Sequence, residues 1–516
     1  MPATFVHWRF PFAVIAALAL SAGSFAAAAD VSFRNDVMAV LSKAGCNQGT
    51  CHGNQNGKNG FKLSLRGQDS KGDLDILRHE QFGRRVNLVE PAGSLLLAKA
   101  VATVPHGGGR RFAIGSEEYD VLLRWIAAGM PPDPADLPRL TKLEVTPREQ
   151  VLFAPHDRLS LRTTATFSDG SVRDVTRWAV YTPSNPIVTV ANDGAVARER
   201  DGETTIVVRY LDRQASVRLA LMPERADFTW RETPTNNFID EQVFARLRQL
   251  RMNPSDLCSD DVFVRRAYLD LLGILPTADE ARRFVADDRP GKRSRLVDEL
   301  LERPEFAEFW ALKWADLFRV EERTLDRKGV QTFYHWLQQA VGADRPIDAM
   351  ARDLLSARGS TYHNPAANFY RAMRDPITRA ESVGQVFLGV RLQCAKCHNH
   401  PFDRWTQDDY YRWANLFARV DYKVIENRRR DRNDLHEFDG EQIVLATSDG
   451  AVKHPAGDEV TAQFLGARTG PGDSDDRLDA VARWIAGGEN PMFARVQANR
   501  IWFHLMGRGI VEPIDD

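Results

Sequence analysis

The chain has 516 residues, 43 % of them apolar and 27 % charged, with 68 basic against 70 acidic side chains and a formal net charge of −2. That length exceeds a single hydrophobic core and predicts about three or four domains, while the composition is that of a folded soluble protein and excludes a multispanning membrane protein. Near-neutral charge gives no support to binding nucleic acid or any other polyanion.

The chain opens as an export signal. Arg9 precedes an apolar run from Phe10 to Leu20, and small residues lead to Ala27-Ala28-Ala29, so residues 1–29 are expected to be removed. If the run from Phe10 to Ala29 were kept it would just span a membrane, the one circumstance in which a membrane is a partner. Either outcome exports the mature protein to the periplasm or cell surface, where thiols are oxidised or haem is attached.

Phe33, Val37, Val40 and Leu41 recur at helical spacing and predict a helix over 32–43, ending near Gly45. It delivers the chain to Cys46, Cys51 and His52, which stand in the order of a c-type haem motif with four residues between the thiols instead of two. A glycine-rich loop, Gly53 to Gly60, follows, and Ser116 caps a helix carrying Leu122, Leu123, Trp125 and Ile126 before Gly129. Residues 30–135 therefore read as a small all-α, cytochrome-c-like domain in which Cys46 and Cys51 hold haem and His52 ligates its iron. His106, in the loop between motif and closing helix, is the expected second ligand, with Met130 the runner-up. A Cys46–Cys51 disulfide, or zinc, remains the alternative.

Residues 131–138, with four prolines, read as a linker. From 140 to 222 the period changes to two, with turns at Ser168-Asp169-Gly170 and Asn192-Asp193-Gly194, which predicts an all-β, Ig-like sandwich acting as a spacer or binding module. From 233 to 425 the pattern is mainly α. Helices are expected around Ile239–Leu250, Phe263–Leu271, after the capping box at Thr277, over 291–301 and 304–320, from Asp375-Pro376 and from Thr406. The aromatic stripe Phe306, Phe309, Trp310, Trp314 and Phe318 reads as helix-packing core.

Between the last two helices lies Cys394-Ala395-Lys396-Cys397-His398, the spacing at which two thiols bond to one haem and the following imidazole ligates its iron. His400 is too close in sequence to reach the opposite face, which leaves His363, His436 and His454 for a second ligand. Zinc, a dithiol redox pair and a structural disulfide are the other readings.

The residues from Phe387 to Trp405 closely resemble the signature of the large exported planctomycete cytochrome-c-like proteins, whose central helical domain is of unknown function. Val264 to Gly273 with Pro276-Thr277 is similar to the opening of that domain, residues 140–221 look like a group 2 bacterial Ig-like domain, and Cys46 to His52 with Gly60 to Gly67 resembles the family's N-terminal cytochrome domain. The resemblance implies haem attachment at Cys46, Cys51, Cys394 and Cys397, with His52 and His398 as axial ligands. The chain departs from the family in the wide Cys46 spacing and in carrying His106 where many relatives have Met-Pro. Asn499 to Pro513 resembles the start of a further family domain, so residues 440–516 are expected to begin a domain that continues past the end of this chain.

These readings make the protein an exported c-type cytochrome carrying one or two haem c groups and passing electrons to a partner protein. The alternatives are a surface or matrix-binding protein stapled by disulfides, and a haem-dependent oxidoreductase. No carboxylate pair, nucleophile elbow or phosphate loop points to hydrolysis or phosphoryl transfer.

Overall fold

The computed structural model describes residues 31–400, 403–429, 433, 438–455, 457, 459–467, 469–472 and 476–516; the expected signal and His436 lie outside them. The first unit is helical. One wide turn, Phe33–Val37, runs into α1 (Met38–Lys43), followed by α2 (Ser70–His79), α3 (Leu95–Ala100) and α4 (Glu117–Ala127). Ser116 caps α4 as predicted, its hydroxyl accepting from the Tyr119 N–H, with Glu117, Glu118 and Asp120 in the positive first turn. Phe33, Val37, Leu41, Leu63, Leu77, Leu97, Leu122 and Trp125 close one core between these short helices.

The proline-rich segment is a docked strap and not a free spacer. Asp133 accepts from the N–H groups of Phe33 and Arg34 at 2.7 and 2.9 Å, satisfying donors at the start of the first helix, and Asn35 donates to the Pro138 carbonyl.

Ten short strands follow: β1 (Leu140–Thr146), β2 (Glu149–Phe153), β3 (Arg158–Ser160), β4 (Arg162–Phe167), β5 (Val172–Asp174), β6 (Val180–Pro183), β7 (Val188–Val190), β8 (Ala195–Arg198), β9 (Gly202–Tyr210) and β10 (Arg213–Met222). They form three small sheets, ordered β1-β4-β5, β2-β10-β9-β6 and β3-β8-β7, all antiparallel except β2 with β10. Inward residues of several sheets, among them Val145, Leu161, Val188, Val196, Ile206 and Leu219, meet in one core. The module is bolted to the first unit through Tyr210, whose hydroxyl donates to the Asn35 carbonyl at 3.1 Å, and Lys43, whose ammonium donates to the Ala179 carbonyl at 2.7 Å.

The remainder is mainly helical. α5 (Phe238–Gln249), α6 (Asp260–Leu272), α7 (Ala278–Ala286), α8 (Lys292–Leu301) and α9 (Pro304–Leu317) match the expected helices, and Thr277 with Glu280 forms the predicted reciprocal capping box. α10 (Glu322–Gly342) and α11 (Ile347–Leu355) were not expected. α12 (Asn368–Ala372), α13 (Pro376–Val383) and α14 (Gln407–Asn415) lead to α15 (Arg477–Ile485) and α16 (Pro491–Met506). A small sheet of order β11-β13-β12, from Gly359–Ser360, Gln442–Ala446 and Val420–Val424, joins segments on both sides of the expected 425–440 boundary. One core runs across that boundary too, packing Phe318, Phe333 and Trp413 with Val444, Leu478, Ile485 and Phe493. Val444, Ala462, Leu465, Leu478, Val481, Ile485 and Phe493 thus share the core of the preceding helices. Among the described residues no helix is long and apolar enough to cross a membrane.

Asp326 organises this region. It interrupts α10 at φ +54° and is 2 % exposed, yet it accepts from the Gly329 N–H, the Tyr362 hydroxyl, the Arg371 guanidinium and the Gly440 N–H at 2.8–3.0 Å. Burial alone would raise its carboxyl, but these donors hold it below the ordinary carboxylate range.

Candidate functional site

Residues 46–53 fold into a compact loop stitched by its own backbone: Cys51 N–H donates to the Gln48 carbonyl, His52 N–H to Cys46 and Gly53 N–H to Gln48, at 2.9–3.0 Å. Gly53 is required by proximity, since a Cβ there would lie 2.1 Å from the Asn47 carbonyl oxygen. The loop presents Cys46, Cys51 and His52 to one cavity of about 270 Å³, whose other walls carry His106, Arg84, Arg85 and Arg111. Met130 is buried at 3 % in the core of the unit and does not line this cavity.

The two imidazoles face the cavity in the same protonation pattern. His52 Nδ1 lies 3.0 Å from the Phe61 carbonyl and His106 Nδ1 2.8 Å from the Gly109 carbonyl. A carbonyl only accepts, so each Nδ1 carries the proton and each Nε2 keeps its lone pair, the tautomer of a metal ligand. The rings are nearly parallel, 6° apart, with centroids separated by 6.4 Å. Imidazole nitrogen binds a metal at about 2 Å, so two imidazoles sharing one ion stand with centroids roughly 6 Å apart. Burial lowers the His52 pKa, opposed by the bond to Phe61 and reinforced by His106, Arg85 and Arg111, so the ring is neutral and able to ligate at pH 7. Phe61 is itself fixed by Arg85, whose guanidinium stacks 4.4 Å over its ring and donates to the Gly60 carbonyl at 2.8 Å.

Both thiols are free. Burial pushes the Cys46 thiol up to about 11, whereas Cys51 accepts a hydrogen bond from Arg111 at 2.9 Å. Among the described residues no three His, Cys, Asp or Glu side chains converge as a chelate would require. A group that brings its own equatorial ligands would ask the chain for only two more, and His52 and His106 are the two imidazoles on the wall of this cavity.

The segment after the loop is held by a buried acid. Asp73, 1 % exposed, accepts from the Ser64 N–H and hydroxyl at 2.5 and 2.6 Å, and burial, against those bonds, raises its carboxyl to about 6. A folded pKa above the unfolded one means stability that is complete below about pH 4 and lost as pH rises through about 6, a difference on the order of 3 kcal/mol. Asp73→Asn keeps an acceptor for the N–H and a donor for the hydroxyl. It is expected to match wild type in urea unfolding at pH 4 and to exceed it at pH 8; equal stability at pH 8 would refute the strained acid.

The second motif is built differently. Cys394 is exposed on the single turn Gln393–Lys396, and Cys397, also exposed, follows directly as its C-cap. His398 Nδ1 again meets a carbonyl, that of Asn399, at 2.8 Å, so its Nε2 also keeps the lone pair. The loop is tied down on the C-terminal side by Gln407 and Tyr411, both donating to the Lys396 carbonyl, and on the other by Gln68 of the first unit, whose side-chain carbonyl accepts from the Asn399 N–H at 2.7 Å across 331 residues. Sequence reasoning missed this junction. His454 packs edge-on against Tyr411 at 5.1 Å, His363 is exposed beside β11, and His400 lies near His398, its pKa lowered by burial.

The aromatic stripe divides. Phe318 is fully buried core, but Trp310 and Trp314 line a cavity of about 370 Å³ with His504 and Arg500 from α16.

Comparison with known proteins places this geometry on partly charted ground. No curated protein matches the chain. Residues 238–422 match the family described as PSCyt2, protein of unknown function (DUF1549), and residues 477–516 match PSD1, protein of unknown function (DUF1553); neither a cytochrome c nor an Ig-like domain is indicated. The chain therefore carries, in this order, segments that match two families typical of planctomycete-type proteins.

Proposed function

We propose that this chain is an exported c-type cytochrome whose first motif carries haem through Cys46 and Cys51, with His52 and His106 as the axial pair, and that it passes electrons to a partner protein. The observation that carries the reading is the pair of parallel imidazoles, 6.4 Å apart, each with Nδ1 held by a carbonyl so that Nε2 keeps its lone pair, on the wall of the cavity that the two thiols also line. Haem supplies one-electron iron chemistry, with a potential lower for two imidazoles than for imidazole with methionine. The chain's own contribution is orientation. Phe61 and Gly109 fix the two rings, Arg85 fixes Phe61, and Arg84 and Arg111, on the wall of the same cavity, would be the cations available to the carboxylates of a bound haem. At the second motif Cys394 and Cys397 with His398 offer the same chemistry on an exposed turn, so a second haem there belongs to the same proposal.

The test is a haem-stained denaturing gel with a pyridine haemochrome spectrum on protein made with a c-type maturation system, wild type beside Cys51→Ala and Cys397→Ala. Haem that survives denaturation, and falls by half in each variant, supports two attached groups; loss confined to Cys51→Ala supports one. Wild type without covalent haem leaves a disulfide-bonded surface protein as the better account.

A further inference from the structure

A cavity of about 680 Å³ opens where the three parts of the chain meet, between the Leu65–Gln68 turn, the β9–β10 hairpin and the loop that follows His398. Its charges are layered. Asp212, Arg213, Asp403 and Arg404 are exposed at the rim, where water and salt screen them. Deeper, Arg209 is 9 % exposed and pairs with no carboxylate among the described residues; the charged neighbour that acts on it is Arg66, a second wall residue. Burial, with Arg66 beside it, pushes the Arg209 guanidinium down to about 10. Trp405 completes the inner wall at 3 % exposure, and its indole N–H finds no acceptor among the described residues.

A buried guanidinium set against another cation is unfavourable until an anion comes between them. Planar N–H forks match the two oxygens of a carboxylate or phosphate, and an indole N–H adds a neutral donor. We propose that this cavity is an oxyanion site, with Arg209 and Arg66 as its fork and Trp405 at its side. The oxyanion has two sources. One is a free phosphate- or carboxylate-bearing solute. The other, which rests on the function proposed above, is the carboxylate edge of haem held at the neighbouring Cys394 motif, since Asn399 of the cavity wall follows His398 directly.

Isothermal titration with inorganic phosphate separates them. The full chain, matured with haem, is compared with the Cys394→Ala/Cys397→Ala variant, and each with Arg209→Met and the milder Arg209→Lys. Charge-assisted bonds of this kind predict roughly a 10- to 100-fold loss of phosphate affinity in Arg209→Met. Arg209→Lys, which keeps the charge without the fork, is expected to fall between. Saturable binding to both parent proteins assigns the site to a free anion; binding only to the double cysteine variant assigns it to haem carboxylates. Binding to neither parent, or undiminished binding in the Arg209 variants, overturns the proposal. The gel described above is read independently, so absence of haem sinks the cytochrome while leaving the phosphate result to stand or fall by itself.

Discussion

Asp326→Ala is expected to destabilise the C-terminal helical region by about 3–5 kcal/mol, because it strips its carboxylate partner from an arginine whose side chain is fully buried. Four donors lose their acceptor at once: the Gly329 and Gly440 N–H groups, the Tyr362 hydroxyl and Arg371. Urea unfolding followed by tryptophan fluorescence reads the effect, since Trp314, Trp336, Trp413 and Trp484 all belong to or pack against that core. The double variant Asp326→Leu/Arg371→Met, which removes both charges, is expected to be more stable than Asp326→Ala. A loss under about 1 kcal/mol would show that the buried pair is not what holds α10 to the small sheet.

His106→Ala carries the second large effect. In haem-loaded protein it is expected to leave covalent haem content unchanged, because the proposed attachment is through Cys46 and Cys51, while altering the visible spectrum as the proposed second iron ligand is lost. Added imidazole should restore the wild-type spectrum, a rescue that a merely structural role would not give. Met130→Leu is expected to leave the spectrum unchanged, since Met130 does not line the cavity. The opposite pattern would move the ligand from His106 to Met130.

What the sequence revealed was local. Caps at Ser116, Thr277, Asp375 and Thr406 rest on a side chain and an N–H three residues on, and all four form. His106 could be singled out because one short glycine-rich loop carries it between the motif and the closing helix. α10 was hidden because Asp326 and Gly329 interrupt its apolar spacing, and both are there for a tertiary reason, the hub around Arg371. The β11-β13-β12 sheet pairs Gly359 with Val444, and no periodicity within either segment announces a partner so distant. Arg209 and Arg66, ordinary charged residues in sequence, acquire meaning only when β9 is laid beside the turn after the first motif.

The hub also orders events in time. Asp326 accepts from Gly440, 114 residues further along the chain, and Arg371 donates to the Phe438 carbonyl. A ribosome must therefore release the polypeptide beyond residue 440 before this ion pair can be sealed from water, and until then the half-made helical region holds a hydrated charge where its centre will be. Closure of this core is therefore a late step of folding, however early the separate helices form.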